Sequence, residues 1–245
     1  MDLNLKGKKA LVMGSSTGIG KAIAQSLIKE GAEVYLCSRS KDKLISCQKE
    51  IGAAGYEVCD LSKVNASRSL IEILLKKIGQ IDILVTNTGG PDKADFLDVS
   101  DQQWNVDFQT LWMSPVESIK AVIPSMIENN YGRILMVTSI AAREPLPGLT
   151  TSNGLRAGLS GLAKSISNEY SKDGITVNLL LPGYTNTDRL KALNLSDEKV
   201  KSMVPAGRLG RPEELADMAT FLASDKASYI TGQSIAIDGG VLKGH

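Results

Sequence analysis

Gly14-Ser15-Ser16-Thr17-Gly18-Ile19-Gly20 follows the apolar run Ala10-Leu11-Val12-Met13 and leads into Lys21-Ala22-Ile23-Ala24-Gln25-Ser26-Leu27, a helix-like stretch. A turn this tight between a strand and a helix needs residues without a Cβ. Its main-chain N–H groups and the positive end of the helix dipole then face an anion. Strand, glycine turn and helix in that order point to the pyrophosphate of a dinucleotide. A turn with no ligand would also take glycines, so the remainder of the chain has to decide.

Downstream, short aliphatic runs recur at Glu33–Cys37, Ile81–Val85, Arg133–Val137, Thr176–Leu180 and Ser234–Ile237, separated by longer amphipathic stretches. Strands this apolar, with connections long enough for helices, predict a doubly wound α/β fold with a parallel sheet buried on both faces. The 245 residues suit one such domain better than two small ones. No linker, charge block or repeat divides them, and the polar stretch Tyr184 to Ser202 reads as a lid or substrate loop.

Composition removes several functions. Lys and Arg number 28 against 27 acidic residues, which gives no electrostatic reason to expect nucleic acid or an anionic membrane as partner. No run reaches about 18 apolar residues, and Met1-Asp2-Leu3-Asn4-Leu5-Lys6 lacks the apolar core of a signal peptide. A soluble, cytoplasmic protein is the expectation. Cys37, Cys47 and Cys59 are too widely spaced for a metal knuckle and read as buried thiols. The only histidine is His245, the last residue, which argues against a Ser-His-Asp triad, a Cys-His pair or a histidine zinc site.

Ligands of doubly wound sheets bind at the carboxyl ends of the strands, so the residues just beyond each run are the candidates. Ser38-Arg39 follows the second strand. An Asp or Glu there would accept from a ribose 2′-hydroxyl, whereas Arg suits a 2′-phosphate, so NADP(H) is the expected cofactor; the alternative is an ordinary solvated arginine. Asp60-Leu61 is placed for the adenine amino group, and Asn87-Thr88-Gly89-Gly90 for close backbone approach to the cofactor, with Asn87 also able to pin neighbouring strands.

These motifs, with Ser139, with Pro182-Gly183 followed by Thr185 and Thr187, and with the ending Gly207-Arg208-Leu209-Gly210-Arg211-Pro212-Glu213-Glu214 through Ile230-Thr231-Gly232-Gln233 to Asp238-Gly239-Gly240, resemble the short-chain dehydrogenase/reductase family over essentially the whole chain. The branch most similar is the 3-oxoacyl-acyl-carrier-protein reductases. That resemblance implies a single Rossmann-type domain over residues 1–245 with a seven-stranded parallel sheet. It implies cofactor contacts from Gly14, Ser16, Thr17, Gly18, Ile19, Gly20, Ser38, Arg39, Asp60, Leu61, Asn87, Gly89, Pro182, Gly183, Thr185 and Thr187. A small-molecule carbonyl or alcohol substrate follows, an acyl thioester being one option. So does a homotetramer built on helices over roughly Asp101 to Asn129 and Thr150 to Tyr170.

The chain departs from the family where the chemistry is done. Relatives carry a Tyr-x-x-x-Lys pair in which the phenol gives a proton to the substrate oxygen and the ammonium lowers its pKa; in Thr151-Ser152-Asn153-Gly154-Leu155-Arg156 the register puts Ser152 at the tyrosine position and Arg156 at the lysine position. Counting from Trp104, Leu111 holds the place of a supporting Asn, and of the usual four only Ser139 is retained. An aliphatic hydroxyl is a far weaker acid than a phenol, and a planar guanidinium suits binding better than proton relay. Tyr184, beside Pro182-Gly183, is a candidate substitute acid, the alternative being an aromatic packed under the loop; Tyr131 and Tyr170 read as structural. Asn130 and Asn168 stand where carrier-docking arginines are expected, with Arg189, Lys191, Arg208 and Arg211 as available cations. Two readings follow: an NADP(H)-dependent oxidoreductase with an atypical or impaired proton relay, or an inactive dinucleotide-binding pseudoenzyme acting as sensor or partner subunit.

Overall fold

Strand residues in this chain are apolar on both faces because both faces are covered. In the computed structural model, which describes residues 1–192 and 194–244, one parallel sheet is formed by β1 (Lys9–Met13), β2 (Glu33–Ser38), β3 (Gly55–Val58), β4 (Ile83–Asn87), β5 (Gly132–Val137), β6 (Ile175–Pro182) and β7 (Ser234–Ile237), in the order β3-β2-β1-β4-β5-β6-β7. Helices α1 (Gly18–Lys29), α2 (Lys41–Ile51), α3 (Ala66–Ile78), α4 (Asp101–Phe108), α5 (Ser114–Glu128), α6 (Thr150–Tyr170), α7 (Asp188–Lys191), α8 (Asp197–Met203) and α9 (Pro212–Leu222) connect them. His245, on which the sequence argument against a triad rested, lies outside the described residues.

Side chains alternate across the sheet with a period of two. Ala10 and Val12 of β1 join Ile23 and Leu27 of α1 and Leu215 and Leu222 of α9 in one apolar cluster. Leu11 and Met13 face the other way, into Leu70 and Ile71 of α3 and Ile119 of α5. All three cysteines are buried free thiols. Serines begin several helices: Ser40, Ser100 and Ser196 accept hydrogen bonds from the N–H groups of Lys43 (3.4 Å), Gln103 (3.2 Å) and Lys199 (3.2 Å).

Two local readings are corrected. The strand expected over Ile81–Val85 runs Ile83–Asn87, since the Asp82 carboxylate accepts from the Lys9 N–H (2.8 Å) and the Gln80 amide (2.9 Å) and ties the strand entrance. The stretch Tyr184 to Ser202, expected to be irregular, contains α7 and α8; Leu193 within it is not described. Between α4 and α5 the chain widens into a π-helical turn, Gln109–Met113, where the Ser114 N–H reaches back to Gln109 O and Pro115 has no N–H to offer. That turn buries Leu111.

Candidate active site

Strand order reverses between β1 and β4, and a crevice opens outside the carboxyl ends of the strands at such a point. A cleft of about 1090 Å³ occupies it. Beside β1, the glycine turn is packed so closely that a Cβ on Gly14, where φ is +59°, would lie 2.4 Å from Asn87 O. Another on Gly20 would lie 2.3 Å from Gly14 O. Asn87 donates from Nδ2 to Gly14 O (3.1 Å), joining the turn to the end of β4. Thr17, the residue before α1, makes no side-chain cap, so the first-turn N–H groups stay available to an outside anion.

At the ends of β2 and β3 stand Ser38, the exposed Arg39, Asp60 and the buried Leu61. Burial pushes the Asp60 carboxyl upward, but hydrogen bonds from Ser62 Oγ (2.8 Å) and Ser62 N (3.1 Å), with the charges of Arg39 and Lys63, outweigh it and hold the group below its ordinary value.

Past the reversal lie Ser139, Ser152, Arg156 and Leu111, then Pro182, Gly183, Tyr184, Thr185 and Thr187 beyond β6. Ser152 and Arg156 are four apart on α6, hence on one face, and both are buried. Arg156 donates from Nη1 to Val137 O at 3.2 Å and from Nη2 to Gly89 O, while its buried Nε–H has no partner. Burial, followed by the nearby charge of Arg189, lowers the guanidinium to about 10, so it remains a cation near neutrality. Ser139 Oγ accepts from the Ala141 N–H (3.1 Å) and keeps its own proton to donate. Tyr184 is half-buried and packs on the apolar cluster that holds Leu181.

A family model described as enoyl-(acyl carrier protein) reductase matches residues 14–242. The chain belongs to the short-chain dehydrogenase/reductase family. Within that family it is 35% identical, over 98% of its own length and 99% of the relative's, to the 3-oxoacyl-[acyl-carrier-protein] reductase FabG of Escherichia coli (strain K12). The crystal structure of a 3-oxoacyl (acyl-carrier-protein) reductase from Agrobacterium tumefaciens C58 with NADP bound superposes with a TM-score of 0.93 at 31% identity, over 98% of this chain and 96% of that one. An NADPH-bound short chain oxidoreductase from Pseudomonas aeruginosa PAO1, described as containing an atypical catalytic center, gives a TM-score of 0.89 at 28% identity, over 97% and 98% of the two chains.

Of the candidate cofactor and catalytic residues read from sequence, all but Gly20 line the cleft of this short-chain dehydrogenase/reductase, whereas the cations Lys191, Arg208 and Arg211 do not. Gly20 is buried beneath the turn, where its lack of a Cβ brings α1 against Gly14. Asn130 and Asn168 are exposed and outside the cleft wall. Tyr131 hydrogen bonds Ala223 O (3.2 Å), and burial pushes its phenol up to about 12, in keeping with a structural role. Two wall residues escaped the sequence reading. Asp107 is buried on α4, one turn before Leu111, with Oδ1 accepting from Gln103 Nε2 (2.7 Å) and Oδ2 unpartnered. Arg189, read as one surface cation among several, reaches across the cleft mouth and donates to Gly90 O (2.6 Å) and to Pro91 O. Nothing in the spacing of either residue announces the contact, which depends on how two distant loops meet.

Proposed function

We propose that this chain is an NADP(H)-dependent oxidoreductase for a carbonyl/alcohol pair, similar to 3-oxoacyl reductases, with a proton relay that departs from the family's. One observation carries the reading: a single cleft joins a glycine cradle of anion-binding shape, with Arg39 and Asp60 beyond it, to Ser139, Ser152 and Arg156 across the strand reversal. The NADP(H) described in two of the matched structures fits that cradle, whose close approaches leave no room for a Cβ. The nicotinamide, when bound, supplies or accepts a hydride.

The chain's own residues then have separable tasks. Ser139 donates its hydroxyl proton in a hydrogen bond to the substrate oxygen. Arg156, in the register of the family's lysine, offers fixed positive charge to an oxyanion without surrendering a proton. Ser152, in the register of the tyrosine, is too weak an acid to replace it. Tyr184 is the one phenol lining the cleft among the described residues and is assigned the proton donation. The relative described as having an atypical catalytic center supports a departure of this kind.

NADPH consumption with a panel of 3-oxoacyl thioesters, simple ketones and oxo acids tests this. The native protein is expected to turn over, and Tyr184→Phe to lose about a hundredfold or more of kcat, the scale of a lost general acid. If the native chain binds NADPH but is silent while Ser152→Tyr/Arg156→Lys turns over, the pseudoenzyme reading replaces this one. Failure to bind NADPH would remove both.

A further inference from the structure

Two cations in the cleft wall are held by backbone carbonyls instead of carboxylates. Arg156 from α6 and Arg189 from α7 donate to three successive carbonyls, those of Gly89, Gly90 and Pro91. Among the described residues, no carboxylate oxygen lies within 4.0 Å of either guanidinium. The nearest acidic neighbour in sequence, Asp188, faces Lys191 instead (3.7 Å). Carbonyls carry only partial charge, and burial first, then the nearby charge of Arg189, makes the charged form of Arg156 costlier. Spare donors remain, since each guanidinium has five N–H groups and Arg156 Nε is buried without a partner.

We propose that the Arg156–Arg189 pair is a subsite for a carboxylate on the substrate, so that the preferred substrates are oxo acids or the corresponding hydroxy acids and not neutral thioesters. The inference rests on the oxidoreductase reading above and assigns its substrate class. Charge-assisted bonds from planar forks match a carboxylate in geometry as well as sign. A thioester brings no charge to this end of the cleft and leaves both cations uncompensated. Cofactor phosphate is the other source of an oxyanion, which the titrations with and without NADP+ separate; its cradle, the glycine turn, belongs to β1, whereas Arg156 is anchored on Val137 at the end of β5, two strands along the sheet. At about 4.8 Å per strand that is roughly 10 Å.

Calorimetric titration of the full chain, with and without saturating NADP+, compares acetoacetate with its uncharged methyl ester. The acid is expected to bind at least about tenfold tighter, with an advantage that shrinks as salt is added. In Arg189→Gln, a change at an exposed side chain, acid and ester should approach parity while NADPH affinity holds. Arg156→Lys, which keeps the charge without the fork, should retain a reduced preference. Equal binding of acid and ester by the native chain, or no binding of either, overturns the proposal. So does an Arg189→Gln protein that keeps the preference but loses NADPH, which would give the pair to the cofactor phosphates. Acid preference without NADPH oxidation by any carbonyl compound leaves the subsite standing and removes the reductase reading. Turnover of thioesters without acid preference does the reverse.

Discussion

Arg39 stands exposed at the end of β2, with its charge already felt by Asp60 across the adjoining strand end. A side chain so placed is open to a dianionic phosphate, and hydrogen bonds to charged groups contribute about 1.5–3 kcal/mol each. Arg39→Asp should therefore weaken NADPH binding about tenfold or more, by removing the partner and adding a repelling carboxylate, while NADH binding changes little. Equal losses for both dinucleotides in fluorescence titrations would contradict the assignment of a 2′-phosphate. At the other end of the cleft, the tethering of Arg156 to Val137 O and Gly89 O is a residue-scale fact with a mechanistic edge. A guanidinium fixed by two carbonyls and kept charged near neutrality can orient and stabilise an anion but is poorly suited to pass a proton along.

Helix α9 shows how one side chain organises an element. Arg208 grips Glu214 through two bonds (2.9 and 2.7 Å), while the Glu214 carboxylate accepts the Arg211 N–H (2.7 Å) at the helix start, which Pro212 opens. The hydrogen bond from Arg208, then that from the Arg211 backbone, lower the Glu214 carboxyl from 4.5 to about 2. A carboxyl whose pKa is depressed by folding stabilises the native state above its unfolded value and ceases to do so as pH falls through the folded one. Glu214→Gln should accordingly lower the Tm near pH 7, and the gap to the native protein should close between about pH 4.5 and pH 2. A gap of constant size across that range in thermal melts would show that charge is not what this contact contributes.

For the molecule as a whole, the helical path from Asp101 to Glu128 leaves Phe108 44% exposed at the end of α4, outside the cleft wall. We expect that face to be covered by a second copy in a homotetramer. Sedimentation should show a tetramer for the native chain and smaller species for Phe108→Asp; a monomeric native protein would refute the assembly. No helix among the described residues is long and apolar enough to cross a membrane.

By itself the sequence determined the parallel sheet, the cradle at Gly14–Gly20 and the position of each candidate beyond its strand, because these follow from hydrophobic period, glycine spacing and short-range backbone sterics. That Ser152 and Arg156 share one helix face was legible for the same reason: residues four apart on a helix lie together wherever the helix lies. What only the tertiary structure decided depends on segments far apart in the chain. Arg189 meets carbonyls 98 and 99 residues away, and Arg156 reaches Gly89 across 67. Such contacts are set by where β4, β6 and α6 end relative to one another, a distance no local pattern encodes. Asp107 likewise reads as one more polar residue on α4 until the packing of that helix buries it with one oxygen unpartnered. Charge pairing also belongs to this scale, since a guanidinium is recognised as lacking a carboxylate only when every surrounding wall is in place.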